Sequence, residues 1–407
     1  MAGQIQLWPA VLFSLLLYQV SASDLPRDQF KDWYPEFGHV FDRILHKNCS
    51  VEYNTYLTGN INQTLIDRYR YVGADKDNVL AQSVSNCILE ATSEFIKSNM
   101  AGAGVLLGLT PTILAAVGSS ADETAMLFDL SRRPLLAILL AAGSPAVFPL
   151  RSFEHRDPLA ILREREGRLR PPILPSYIEW LIMIFEYVLA LAAISNVVSI
   201  SWELGRRAIC GFAPHVTYIP LLWAVLNIGI HISSAAALWL RTSVKCEQPS
   251  TSYLDIIKLH FTPLMKQKPV VVTLYPETYS FVFFSWLTPL FTVLHCLFGT
   301  LAFSSMLFIS VRDSIYVISR FMVSVIVCRI ILMYELAALR EAVNYKPSVQ
   351  VERKPRQFTG GSGKIMIHRT TIPEAVLEEG KGNMRRNPVG QGTRGRGGGG
   401  GNRRTTS

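Results

Sequence analysis

Five polar side chains fall near the centres of long apolar runs: Glu186, Asn227, His231, His295 and Arg329. At a helical rise of about 1.5 Å per residue, all five share roughly one depth in a bundle. An ionised side chain at the centre of a bilayer costs about 2.5–3.5 kcal/mol, so Glu186 and Arg329 are expected to seek each other or water. His231 and His295 can change charge near neutral pH. Two kinds of chemistry fit such a midplane polar cluster: a proton, ion or small-solute path, or an interhelical clamp that fixes packing. The clamp is favoured, because one neighbour can satisfy each residue and nothing in the spacing demands water. Arg320 sits a turn or two inside its helix and can snorkel toward the headgroups, which is a structural role.

These residues need helices to hold them. Apolar segments run over residues 101–118, 134–150, 177–201, 217–241, 281–310 and 314–338. Most reach the length of about 20 residues that a helix needs to cross the hydrocarbon core. The second is shorter and ends in Gly143-Ser144-Pro145, so it is expected to dip into the membrane and return. Counting it as re-entrant puts the six Arg between Arg151 and Arg170, the Lys245–Lys268 loop and the basic tail on the cytoplasmic side. Counting six spans puts that Arg-rich loop and the tail outside, against the positive-inside rule. Five spans are therefore favoured over six. Pro111, Pro145, Pro220 and Pro289 interrupt the apolar runs. Broken helices of this kind expose backbone to substrates in transporters, but plain kinks are the commoner use.

The N-terminus carries an apolar run from Leu7 to Tyr18, with Val20 and Ala22 at the small-residue positions before a cleavage site. It reads as a signal peptide over residues 1–22, with an uncleaved anchor as the alternative because no Lys or Arg precedes the run. Residues 23–100 read as a small lumenal or extracellular domain, in which Leu80, Val84, Ile88, Ala91 and Phe95 recur at helical spacing. So short a segment makes a poor core alone. A disulfide between Cys49 and Cys87 suits an oxidising compartment and would stabilise it by roughly 3–4 kcal/mol. Asn62-Gln63-Thr64 and Asn48-Cys49-Ser50 are glycosylation sequons, the second in competition with a bridged Cys49. Cys210 and Cys246 flank one span and cannot pair. Cys296 and Cys328 fall inside helices and read as small apolar fillers.

The net charge of +9 on 407 residues has a single origin. From Arg340 onward fourteen Lys/Arg face five Glu, so the rest of the chain balances to zero. That tail, 341–407, is rich in Gly, Pro and Arg and reads as disordered. Tail and Arg-rich loop are suited to anionic lipid headgroups. Nucleic acid is not expected as a partner, because residues 381–407, the Arg-Gly part of the tail, lack aromatic residues to stack on bases. The chain contains no phosphate-binding Walker loop, no dinucleotide-binding glycine pattern, no zinc-protease or nucleophile-elbow motif and no Cys-x-x-Cys. No cofactor, metal or catalytic residue is therefore assigned.

The strings LLGLTPTIL at 106–114, SRRPLL at 131–136, GSPAV at 143–147 and DPLAILREREGRL at 157–169 are similar to a family of uncharacterised multi-pass membrane proteins of filamentous fungi. The similarity covers about residues 100–245. It implies a membrane location in the secretory pathway or at the plasma membrane, and brings no activity or site residue. The expected fold is all-α: a polytopic helical membrane domain over 101–340 with about five to six spans and a small N-terminal domain. Three functions stay open: a receptor or scaffold, weakly favoured; a transporter or channel using the midplane cluster; and an intramembrane enzyme.

Overall fold

The structure is a computed structural model and describes residues 27–61, 63–68, 76–131, 133–149, 175–245 and 271–344. The signal-peptide segment, the sequon at Asn62, the Arg-rich loop, Cys246 and the tail lie outside these residues. Among the described residues, four helices precede the apolar part: α1 (Gly38–Lys47), α2 (Ser50–Thr58), α3 (Gln63–Arg68) and α4 (Lys76–Ala91). Next come α5 (Glu94–Val117), two short helices α6 (Ala121–Asp129) and α7 (Pro134–Gly143), and then α8 (Ser176–Arg207). The two-residue strand β1 (Ile209–Cys210) leads to α9 (Ile219–Arg241), followed by β2 (Thr242–Lys245) and β3 (Val271–Leu274). The chain then forms α10 (Tyr279–Ser304), β4 (Met306–Leu307) and α11 (Val311–Asn344).

The protein is all-α, and five of its helices, α5, α8, α9, α10 and α11, are long and apolar enough to span a membrane. They form a multi-pass bundle whose outward faces are apolar, as a bilayer requires and water does not tolerate. The prolines inside the spans bend but do not end them: Pro111 lies within α5 and Pro289 within α10, while Pro220 occupies the first turn of α9. Thr110 and Thr288 donate their hydroxyls to the Leu106 and Phe284 carbonyls, four residues back, at 3.1 and 3.0 Å. Gly104 and Gly108 set how closely α5 and α10 approach: a Cβ on them would lie 3.1 Å from the Ser304 carbonyl oxygen and 2.9 Å from the Ser304 Cβ. This is the small-xxx-small packing that membrane helices use in place of a hydrophobic driving force.

Helices α1 to α4 form a cap on one end of the bundle. Cys49 and Cys87 are joined by a disulfide, with Cα atoms 5.9 Å apart, between the start of α2 and the last turns of α4. Asn48, the residue closing α1, is exposed beside the bridged Cys49. The cap does not close its core alone. Ile96 and Met100 of α5, Ile209 of β1 and Phe308 after β4 are buried among Phe30, Phe41, Leu80 and Ile88. The Phe308 ring stands edge-on to Trp33 and Phe41 at centroid separations of 5.5 and 5.2 Å. Its backbone takes a left-handed φ of 63°, a conformation a bulky residue adopts only when its surroundings require it. Antiparallel pairing of β1 with β4, Ile209 opposite Leu307, holds this insertion in place.

The helical face expected through Ala91 and Phe95 ends earlier than its spacing suggests. Leu80, Val84 and Ile88 are buried, but Ala91 and Phe95 are exposed, because the chain leaves helical geometry at Ser93 and α5 starts with a new phase. Ile96 and Met100 take over the inward positions, so α5 itself bridges the boundary expected near residue 100. Polar ties reinforce the junction: Arg206 meets Asp32 at 2.5 Å and His215 meets Asn78 at 2.6 Å. At the opposite end of the bundle β2 pairs with β3, and Arg241 lies 3.4 Å from Glu277.

Phe308→Ala is expected to cost about 3–5 kcal/mol, as for other fully buried aromatics. The loss should be read as a lower melting temperature of the purified protein and faster proteolysis between Arg27 and Ala91. Phe95→Ala, at an exposed position, should change stability by no more than about 0.5 kcal/mol in the same assay.

Candidate functional site

The expected dip over 134–150 is half of a larger excursion. Gly108 of α5 is level with Ser304, the last residue of α10, and only nine residues, about 14 Å of helix, separate it from the end of α5 at Val117. Helix α5 thus stops partway down the bundle, and after Gly118-Ser119-Ser120 the chain continues as α6. Helix α7 then returns and stops at Gly143. The two interruptions lie against each other: the Phe148 N–H donates to the Ser119 carbonyl at 2.9 Å, and Ala121 packs with Val147 and with Ile230 at the middle of α9. A Cβ on Gly118 would come within 2.7 Å of the Ala146 carbonyl oxygen, so this approach needs glycine.

Helix ends inside an apolar bundle leave unpaired backbone groups that water cannot reach. Here side chains take them up. Ser120 accepts from the Glu123 N–H at 3.3 Å, and the Glu123 carboxylate accepts from the Ser120 N–H at 3.1 Å, a reciprocal capping box. At the end of α7, the Asn227 amide donates to the carbonyls of Ala141 and Ser144 at 3.0 and 2.7 Å. Asp122 adds a bond from the Ser234 hydroxyl at 2.8 Å.

Sequence reasoning expects Glu186 and Arg329 to seek each other or water, and the structure gives each a different partner. Both guanidinium nitrogens Nη1 and Nη2 of Arg329 donate to the Glu123 carboxylate, the second at 3.2 Å. Glu186 lies 3.7 Å from Arg133, whose Nη1 donates to Glu335 at 2.6 Å. The reason is register. Arg329 faces the start of α6, whereas Glu186 and Glu335 face the residue that opens α7. Arg133 is 1 % exposed, and two carboxylates meet its buried charge.

The other members do not bond to one another either. His295 Nε2 lies 2.8 Å from the Trp223 carbonyl, the Trp223 indole N–H donates to the His295 carbonyl at 3.2 Å, and the two rings stack at 5.1 Å. His231, buried on α9, has no hydrogen-bond partner on either ring nitrogen among the described residues. Among the described residues, no hydrogen bond or ion pair joins any two of Glu186, Asn227, His231, His295 and Arg329. Arg320 serves as a brace rather than snorkelling freely: it donates to Asn196 and Ser199 of α8, both at 2.8 Å, while Asn196 donates to the Arg320 carbonyl at 2.8 Å.

Glu123, Arg133 and Glu335 are the partners that the reading of apolar centres passes over. Glu123 leaves a trace in the sequence, since Ser120-x-x-Glu123 is a capping-box spacing just before an apolar run. Arg133, next to Pro134, is indistinguishable in the sequence from an exposed loop charge.

Comparison of the chain with protein families, with curated proteins and with solved structures finds no match. The class rests on the fold: a multi-pass helical membrane protein with a disulfide-bonded N-terminal cap.

Asn227→Leu should destabilise the protein by about 1–3 kcal/mol, the cost of leaving buried carbonyls without a donor. Arg133→Met should cost about 3–5 kcal/mol, because Glu335 and Glu186 then face each other without a cation. Thermal unfolding in detergent checks both, and adding Glu335→Leu to Arg133→Met should recover part of the loss.

Proposed function

We propose that the protein is a receptor- or scaffold-type membrane protein, with the cap on the lumenal or extracellular side as its binding surface. The observation that carries this reading is the shared core of cap and bundle, in which Phe308 and Ile209 from the span connections sit among Phe30, Phe41 and Ile88. Whatever binds the cap therefore presses directly on the ends of the spans. The disulfide supports the placement, because such bonds persist in oxidising compartments. So does the distribution of basic residues, since the positive-inside rule favours a cytoplasmic side for the Arg-rich loop and the tail. The charged groups inside the bundle favour a structural role, since Arg133, Glu186, Glu335, Glu123 and Arg329 all close on one another rather than face a path. Glu186, shut against Arg133 and Glu335, offers an intramembrane enzyme no accessible carboxylate.

A second reading, transport, is favoured by two observations: the interrupted helices meet partway through the bundle, and His231 keeps both ring nitrogens unpartnered there. Reconstitution separates the two. Proteoliposomes holding the full chain and a pH-sensitive dye should show proton flux no faster than empty vesicles. Flux above that level, lost in His231→Leu, would replace the receptor reading with the transport one. Placement of the cap is tested by a glycosidase: Asn62→Gln should remove a glycan that the enzyme otherwise trims, and an unmodified wild-type chain made in a glycosylating cell would contradict an exposed lumenal sequon.

A further inference from the structure

A groove of about 710 Å³ opens where the cap meets the bundle, between α4, α5 and the α10–β4 corner. Its size falls within the range of small-molecule sites, about 300–1,000 Å³. Met100 and Leu307 form its floor, and Asn86, Glu90 and Lys97 stand on the cap side. Gly104, at the contact of α5 with α10, and the exposed Val105 and Ser304 mark its other end. Each of these two spans also carries a stripe of exposed apolar residues. On α5, Val105, Leu109 and Ile113 are 64 %, 51 % and 40 % exposed; on α10, Leu301, Leu297, Leu294 and Leu290 are 51–61 % exposed. The α10 stripe runs over twelve residues, Leu290 to Leu301, about 16 Å from end to end and close to half of the roughly 30 Å hydrocarbon core.

We propose that this groove holds one phospholipid with a zwitterionic headgroup, taken from the cap-side leaflet. The stripes supply a bed for its acyl chains that is continuous with the bilayer-facing surface of the bundle. The cap side supplies both signs of charge that such a headgroup carries. Lys97 lies on the first turn of α5 and Glu90 on the last turn of α4, and both line the groove. The phosphate therefore meets the Lys97 ammonium and the quaternary or primary ammonium meets the Glu90 carboxylate. Lys97 also pairs with Glu94 at 2.8 Å, but Glu94 is 89 % exposed, and such a surface pair yields readily to a phosphate. An anionic headgroup would place its surplus charge against Glu90. The inference does not depend on the receptor reading, since a bound lipid is equally compatible with transport.

Native mass spectrometry of the full chain, released from micelles containing equal amounts of phosphatidylcholine and phosphatidylglycerol, tests it. Ala101→Trp fills the groove from an exposed position, and Glu90→Lys reverses the charge at the cap side; matching melting temperatures establish that both variants fold. The wild type should retain one phosphatidylcholine that Ala101→Trp loses by about tenfold, a difference of about 1.4 kcal/mol. In Glu90→Lys the retained lipid should change to phosphatidylglycerol. Phosphatidylcholine retention equal in wild type and Ala101→Trp would overturn the site. A groove-dependent adduct of phosphatidylglycerol in the wild type would overturn the headgroup assignment.

Discussion

The ion pair between Glu123 and Arg329 is the constraint on which the rest of the bundle depends. Arg329 lies eighteen residues into α11, about 27 Å from its cap-side end, where a lone guanidinium is costly. Its partner belongs to the capping box that starts α6, so one carboxylate neutralises the charge and also holds a helix end that water cannot reach. Breaking the pair would expose two faults at once, an unpaired charge and an uncapped helix. The same helix carries two further braces, Arg320 against Asn196 and Ser199, and Glu335 against Arg133. Helix α11 is thus fastened near the cap to α8, midway to α6, and farther on to the start of α7. Apolar packing gives little orientation between helices in lipid, so directional contacts of this kind fix rotation and register.

The large features were legible in the sequence because they rest on length and composition. Long apolar runs predicted the spans, the short second run predicted a helix that does not cross, and Cys49 with Cys87 predicted the bridge. Local signals carried less. Val84 and Ile88 were placed correctly by periodicity, while Phe95 was not, since a helix break at Ser93 resets the phase without leaving a mark in the hydrophobic pattern. The site shows the same limit. Glu186 and Arg329 were recognisable as buried charges, but their partners were not, because pairing depends on helix rotation and on where α6 and α7 stop. Gly104-x-x-x-Gly108 and Ser120-x-x-Glu123 were both available as signals, for close helix packing and for a helix start respectively.

Cap and bundle depend on each other for a related reason. A cap of four short helices buries too little surface to be stable unaided, and its disulfide removes only part of the deficit. Phe308, inserted from the α10–α11 connection under a left-handed backbone, completes the core. The strain is tolerated because β1 pairs with β4 and because Trp33 and Phe41 enclose the ring. The result is a cap core that takes in Ile96, Met100, Ile209 and Phe308 from the ends of the spans and their connections, with the lipid-sized groove at the seam.

The central claim is that Glu123 and Arg329 act as a structural clamp. A double-mutant cycle with Glu123→Gln, Arg329→Gln and the pair together, followed by thermal unfolding in nanodiscs, measures it directly. The account predicts a coupling energy within the range of about 0.5–3 kcal/mol found for contacting residues, with the double mutant more stable than the two single losses added together. Additive losses would show that the two side chains do not support each other, and would contradict the account.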